Sequence, residues 1–240
     1  MKRKNTNPRV ATRSRALTAT ALLTCVAVLT AIQSVPAGGP APGHSKAFGS
    51  SLAEWQELFW RWAFGQADLP TDPNGNAVAG NVVLMPLPDA PGDGTPGAID
   101  VTLDAGQAFV LPLWNILGTS YDDGTPTDPA LDPSVFQTLD ISLRIDGVTV
   151  VDGDNVMDYY TAFSFDPEIP LPPEWSPYQA IVWLQGVGVV HPPLSAGKGG
   201  QHTITLDVKN TIPITDGMGN DFVFEFHNTW NVTVAPGANH

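Results

Sequence analysis

The sequence has very little cysteine and very little positive charge. Cys25 is the single cysteine among 240 residues, and it lies inside an apolar run near the start. If that run is removed on export, the working chain has no thiol. Disulfides, thiolate catalysis and cysteine-ligated zinc are then excluded. Eleven Lys and Arg face 24 Asp and Glu, for a net charge of −13. Six of the bases, Lys2, Arg3, Lys4, Arg9, Arg13 and Arg15, precede residue 38, where no acid occurs. Beyond it only Lys46, Arg61, Arg144, Lys198 and Lys209 oppose the 24 acids, a net of −19. So few bases exclude nucleic-acid binding through phosphate neutralisation and electrostatic docking on an anionic membrane. Also missing are a Gly-x-Ser-x-Gly elbow, a His-Glu-x-x-His helix, a Walker loop and a dinucleotide fingerprint. Their absence weakens an enzymatic reading without removing it. A sandwich glycosidase or lyase needs only two carboxylates, or a base, brought together in space.

The basic residues at 1–15 precede an apolar run from Ala16 to Ile32, and Val35 and Ala37 suit the −3 and −1 positions of a signal peptidase site. The run is shorter than the ~20 residues that span a bilayer. Residues 1–37 therefore read as a cleaved signal peptide, and the protein as secreted or held in the cell envelope without a stable membrane anchor. Thr24 before Cys25, and the apolar residues after it, do not suit lipidation. Cleavage after Gly43 would instead leave His44 at the N-terminus, where amine and ring can chelate copper.

Residues 38–48, rich in Gly and Pro, read as a flexible leader, residues 49–235 as one domain, and residues 236–240 as a tail. Ser50 or Ser51 can cap a helix running to about Phe64, with Glu54 as the capping-box partner of Ser51. On a helical wheel Leu52, Trp55, Leu58, Phe59, Trp62 and Ala63 share one face. Glu54, Glu57 and Arg61 lie opposite, with Trp60 and Phe64 among them. After Gly65, Pro and Gly recur too often for long helices, and short β patterns separated by turn clusters take over. The candidate strands are 82–87, 99–103, 108–114, 139–145, 148–151, 159–165, 180–190, 202–208 and 222–234. Ile141, Leu143 and Ile145 alternate with polar residues, as do Phe222, Phe224 and Phe226 with Val223, Glu225 and His227. Asp146-Gly147 reads as a hairpin turn. About nine such strands predict a mainly β chain: an antiparallel β-sandwich or jelly-roll-like domain with one N-terminal amphipathic helix.

The segment Ala53-Glu54-Trp55-Gln56-Glu57-Leu58-Phe59-Trp60-Arg61-Trp62-Ala63 resembles the Trp-rich helix that opens the mature part of a family of exported bacterial proteins. Further stretches resemble that family in the same order: Leu103 to Pro112, Pro193 to Gly197 before Gln201-His202-Thr203-Ile204, and Thr229 to Val234. The resemblance implies export and a β-rich domain, and it supplies no catalytic residues. Many members carry cysteine pairs near the first strands, which this chain lacks.

Three constellations could carry chemistry. Indole rings can stack on sugars, and Trp60, Phe64 and Trp175 are the candidate ligand-binding residues. Trp55 and Trp62 read instead as anchors of the helix on the sheet. Loops rich in Asp, Asn and Gly offer hard oxygen ligands for Ca²⁺, with Asp152, Asp154 and Asp158 the best set. The same residues are ordinary turn formers. Glu225 and His227, two apart on one strand, share a face and could act as a carboxylate-oriented base; His191 and His202 join only if the fold brings them near. The alternative is an exposed polar sheet face. Together these features predict a non-catalytic protein that binds a glycan or another surface component. A secreted carbohydrate-active hydrolase or lyase and a structural surface protein are the alternatives.

Overall fold

The computed structural model describes residues 39–235. The signal peptide expected at 1–37, with Cys25, and the tail at 236–240 lie outside the described residues. The chain begins with α1 (Leu52–Ala63), followed by β1 (Val78–Ala79), β2 (Val82–Leu84), β3 (Gly97–Asp104) and β4 (Ala108–Tyr121). A short α2 (Ser134–Gln137) precedes β5 (Asp140–Ile145), β6 (Val148–Asp152), β7 (Tyr160–Pro170) and β8 (Tyr178–His191). The chain ends with β9 (Gln201–Lys209), the small hairpin β10 (Ile214–Thr215) and β11 (Asp221–Phe222), and β12 (Glu225–Ala235).

Two five-stranded sheets face each other. The first has the order β1-β2-β4-β8-β7 and the second β3-β12-β9-β5-β6. This is the mainly β, sandwich-like domain that the alternating patterns predict. Most pairs are antiparallel, but β2 runs parallel to β4 and β3 parallel to β12. Alternation along one strand cannot reveal that direction, because one buried and one wet face look the same in either. Asp146 and Gly147 both adopt positive φ, 53° and 79°, as the tight β5–β6 hairpin requires.

The core lies between the sheets. Phe109, Leu111, Val187 and Val189 of the first meet Leu103, Leu143, Leu206 and Trp230 of the second. Trp230 is fully buried and donates its indole N–H to the Pro86 carbonyl at 2.7 Å, which ties the closing strand to the turn after β2.

The first sheet is buried on both faces because α1 covers the outer one. Leu52 and Trp55 pack on Val82, Ala108, Val110 and Val190, and Phe59 on Ala77 and Leu84. Double coverage explains why β4 opens with seven consecutive buried residues rather than an alternation. The helix starts where the capping box predicts. The Ser51 backbone N–H donates to Glu54 Oε2 at 2.6 Å, and the Glu54 N–H donates back to Ser51 Oγ at 3.3 Å. At its other end Arg61 pairs with Glu57, donates to the Pro167 carbonyl and lies over the Phe165 ring, fixing α1 to β7.

The buried face of α1 is Leu52, Trp55, Gln56 and Phe59, which differs from the expected apolar face chiefly by the loss of Ala63 and the addition of Gln56, a residue assigned to neither face. Ala63 is exposed and Gln56 is wholly buried. Room for Gln56 comes from β8: a Cβ on Gly188 would lie 2.5 Å from Gln56 Nε2, and one on Gly186 would lie 1.8 Å from Asn115 Oδ1. Gln56 and Asn115 meet in a 2.6 Å hydrogen bond over these two glycines. Part of the segment expected as a leader is tied to the domain. The Ala41 N–H donates to the Val190 carbonyl and the Gly43 N–H to that of Asp158.

Candidate functional site

A cavity of about 380 Å³ opens along β4. A void over one face of a strand touches alternate residues, because side chains point to opposite faces in turn. This one touches six consecutive residues, from Pro112 to Leu117. It therefore runs along the edge of the strand and straddles the sheet. Leu113, Trp114 and Ile116 belong to the core between the sheets. Leu117 packs with Trp60 in the cluster under α1, and both line the same cavity.

The edge is open because β2 is short. It pairs with β4 only from Ala108 to Val110, and a last bond joins the Met85 N–H to the Val110 carbonyl. Pro86 cannot donate to a ladder, and the chain turns away there. At the far end Asp128 closes the edge. Its N–H donates to the Thr119 carbonyl, and its Oδ2 accepts from the Thr119 N–H and Oγ1–H at 2.8 and 2.7 Å. Between Val110 and Thr119, β8 is the one ladder neighbour of β4 among the described residues.

Asp128 also sets the far wall. Its Oδ1 accepts from Tyr121 Oη–H at 2.7 Å and from the Gly217 N–H at 2.6 Å, which ties down the β10–β11 hairpin. A carboxylate has about four lone-pair sites, and four donors fill them here. Asp128 is thus a fastening with no free valence for a ligand. Tyr121, buried beside it, has its phenol pushed up to about 12, chiefly by burial and further by the Asp128 hydrogen bond and charge. The Asp128 carbonyl accepts from Trp183 Nε1–H at 2.9 Å, and the Trp183 ring lies flat over Gly118, where a Cβ would come within 1.9 Å of it.

Phe222, Phe224 and Phe226 form a ladder on the opposite wall. Successive centroids are 5.9 and 6.3 Å apart, with rings within 8° and 11° of parallel. Gly92 makes room for it, since a Cβ there would lie 2.9 Å from Phe226. Leu87, Met218 and Phe222, between 38% and 47% exposed, stand at or near the rim. Polar atoms are sparse. Trp60 Nε1, Asn115 Oδ1 and Asn228 Oδ1 are closed to solvent without a hydrogen-bond partner, and all three residues line the cavity.

Of the residues expected to bind a ligand, Trp60 lines this cleft. Phe64 lies 6.0 Å from Trp60 and packs into the Phe165, Ile169, Ile181 and Leu184 cluster. Trp175 is half exposed on a short 3-10 turn of the proline-rich loop and does not line the cleft.

Glu225 and His227 share a face, as their spacing predicts, and it is the outer face of the second sheet. His227 Nδ1 lies 2.7 Å from Asp207 Oδ1, and Nε2 lies 3.3 Å from Glu225 Oε1. Lys209 Nζ donates to Glu225 Oε2 at 2.9 Å. An imidazole flanked by two carboxylates satisfies both only as the imidazolium. Its pKa is raised, first by the Asp207 hydrogen bond and also by that of Glu225. The Glu225 carboxyl is lowered, first by Lys209. The four groups neutralise one another beside a hollow of about 80 Å³. A base needs a free lone pair, and His227 has none while it is charged. Neither His191 nor His202 joins it. His191 is buried and stacked on Phe109, and His202 contacts Asp146 and the Ser195 carbonyl.

Asp152 ends β6, Asp154 lies in the turn after it, and Asp158 lies in the 3-10 turn Val156–Tyr159. Asp152 Oδ1 accepts from the Asp154 N–H, and Asn155 Oδ1 accepts from the Asp152 N–H. Among the described residues no group of three or more His, Cys, Asp or Glu is arranged to hold a metal ion. The Asp/Asn spacing here follows from turn chemistry.

The cleft's wall and its fastening are not legible in the sequence. The Phe222, Phe224 and Phe226 alternation was visible, but it reads only as a strand face. Asp128 stood among several loop acids. No protein-family model matches the chain, and neither does any curated protein or solved structure.

Proposed function

We propose that this is an exported, non-catalytic binding protein whose ligand lies in the cleft along the edge of β4. The single observation that carries the reading is the void itself. It has the size of a ligand site, a mostly apolar aromatic lining and a few polar groups. Three of those lining residues hold a buried polar atom without a partner. Such an atom costs about 1–3 kcal/mol while unpaired, and unsatisfied buried groups of this kind concentrate where a fold serves something other than its own stability. The mutual neutralisation of Glu225, His227, Asp207 and Lys209 supports binding over catalysis. The basic start, the apolar run and the resemblance of the Trp-rich α1 to an exported family support export.

The uncharged dye Nile red tests the cleft. Its fluorescence is expected to rise on mixing with the protein. Leu117→Arg, which sets a charge on the cleft floor, is expected to abolish the rise while leaving the β circular-dichroism spectrum intact. No rise with the parent protein, or an equal rise with the variant, overturns the assignment. Trp175 favours a glycan as a second ligand, because its indole stands half exposed on a rigid proline-rich turn. A pull-down on a polysaccharide panel, with loss of retention in Trp175→Ala, tests that arm.

A further inference from the structure

We infer that the occupant of the cleft is an extended peptide segment, added as a strand to the open edge of β4. The inference rests on the binding reading above and names the ligand class. A pocket built for a compact molecule would present side chains, but this one presents a strand edge. Pro112 to Leu117 all border it, a length of roughly 20 Å at strand rise. One end of the edge is set by the departure of the chain at Pro86, and the other by the bonds of Asp128 to Thr119. Between those two ends the edge has room for about six residues of an added strand.

Long open edges invite pairing, and proteins usually blunt them with charge, proline, bulges or short length. Here Pro112 and the bulge between it and Trp114 blunt the end near Pro86, but no charged residue occurs anywhere in Pro112–Leu117 and the ladder from Asn115 to Leu117 is regular. An added strand sends alternate side chains to opposite sides. Apolar surface waits on both: Trp60 and Leu117 towards α1, and the phenylalanine ladder with Ile116 towards the second sheet. Main-chain bonds to β4 would give affinity, and the two walls would select the alternate side chains.

Charge narrows the partner further. The two loops at the Asp128 end of the slot, joined by the bond of Asp128 to Gly217, carry Asp122, Asp123, Asp128, Asp132, Asp216 and Asp221, and neither 122–132 nor 215–221 contains Lys or Arg. The peptide that fits has apolar residues at alternate positions, no acids, and a basic flank at that end.

The test uses an array of synthetic peptides. Each has Lys at both ends and Val, Ile, Phe or Tyr alternating with Thr between them. The protein is expected to retain a subset. In the best binder, N-methylation should weaken binding at least tenfold at every second residue and little at those between. Leu87→Asp and Phe222→Asp, at exposed positions that leave the core intact, should each weaken it at least tenfold with an unchanged melting temperature. Binding without the every-second-residue pattern overturns strand addition. If Nile red enters the cleft but no peptide is retained, the cleft stands as a ligand site and the peptide inference falls. If neither binds, both fall. A concentration-dependent dimer in light scattering that Phe222→Asp dissolves would assign the slot to a second copy of this chain and overturn the peptide partner.

Discussion

Gly118→Ala isolates one contact that the cleft depends on. Gly118 has an ordinary φ, so alanine carries no backbone penalty there. In open space the change would stabilise the fold by about 0.4–1 kcal/mol, through the unfolded chain. In this fold the added Cβ would sit 1.9, 2.2 and 2.3 Å from Cε2, Nε1 and Cζ2 of Trp183, well inside any real contact. The indole cannot slide away cheaply, because its N–H is bonded to the Asp128 carbonyl at 2.9 Å. Overpacking costs about 1–3 kcal/mol, and a carbonyl left unpaired adds about 1–3 kcal/mol. A net loss of about 3 kcal/mol lowers the melting temperature by roughly 6–12 °C for a domain of this size. The assay is thermal unfolding of a double-mutant cycle with Trp183→Ala. Placed on Trp183→Ala, the alanine loses the three contacts nearest to it, so Gly118→Ala should become neutral or stabilising. A parent-background effect below about 0.5 kcal/mol, or the same loss with and without the indole, would refute the packing argument.

Three further outcomes follow from the same geometry. Asp128→Asn should lower the Tyr121 phenol from about 12, seen in an ultraviolet titration, because the carboxylate charge is one of the influences that raise it; it should also speed amide exchange at Gly217, whose N–H Asp128 holds. The His227 ring protons should titrate with a midpoint above the ordinary 6.5 in NMR. Its raised pKa adds stability that is fully present below pH 6.5 and lost as pH rises through the folded value. Asp207→Asn should bring the midpoint back down, and an unmoved midpoint would reject the pairing. Ser51→Ala should cost about 0.5–2 kcal/mol in thermal unfolding, the usual worth of a helix N-cap, because alanine lacks the Oγ that accepts from the Glu54 N–H, while the backbone bond from Ser51 to the Glu54 carboxylate stays.

Elements whose cause is local were legible in the sequence. The Ser51–Glu54 box, the Asp146-Gly147 turn and the alternations in β5 and β9 each have their reason within a few residues. All nine candidate strands contain observed strand, and α1 ends within one residue of the expected stop. What escaped depends on residues far apart in the chain. Gln56 lies on the buried face of α1 because Gly186 and Gly188, some 130 positions later, leave space for it. The parallel pairing of β3 with β12 joins segments equally distant. The cleft exists because one strand stops early, and Pro86 marks that stop only once β4 is known to run on to Tyr121. Trp60 was legible as a ligand candidate because it shares a polar helix face. Asp128 was not, since its four donors come from positions 119, 121 and 217.

The charge of the chain bears on how the cleft is kept open. A net of −19 beyond residue 37 repels further acid at every surface, the strand edge included. That repulsion opposes edge-to-edge pairing of copies, because each brings the same loop acids to the rim. A neutral edge inside an acidic rim thus separates two demands. It remains free of its own kind and stays available to a basic, apolar strand. The preference has a measurable mark. Raising salt screens the rim over about 10 Å at 0.1 M and less above it, so it should weaken peptide retention and favour self-association together. If salt moved neither, the acidic rim would play no part in choosing what fills the slot.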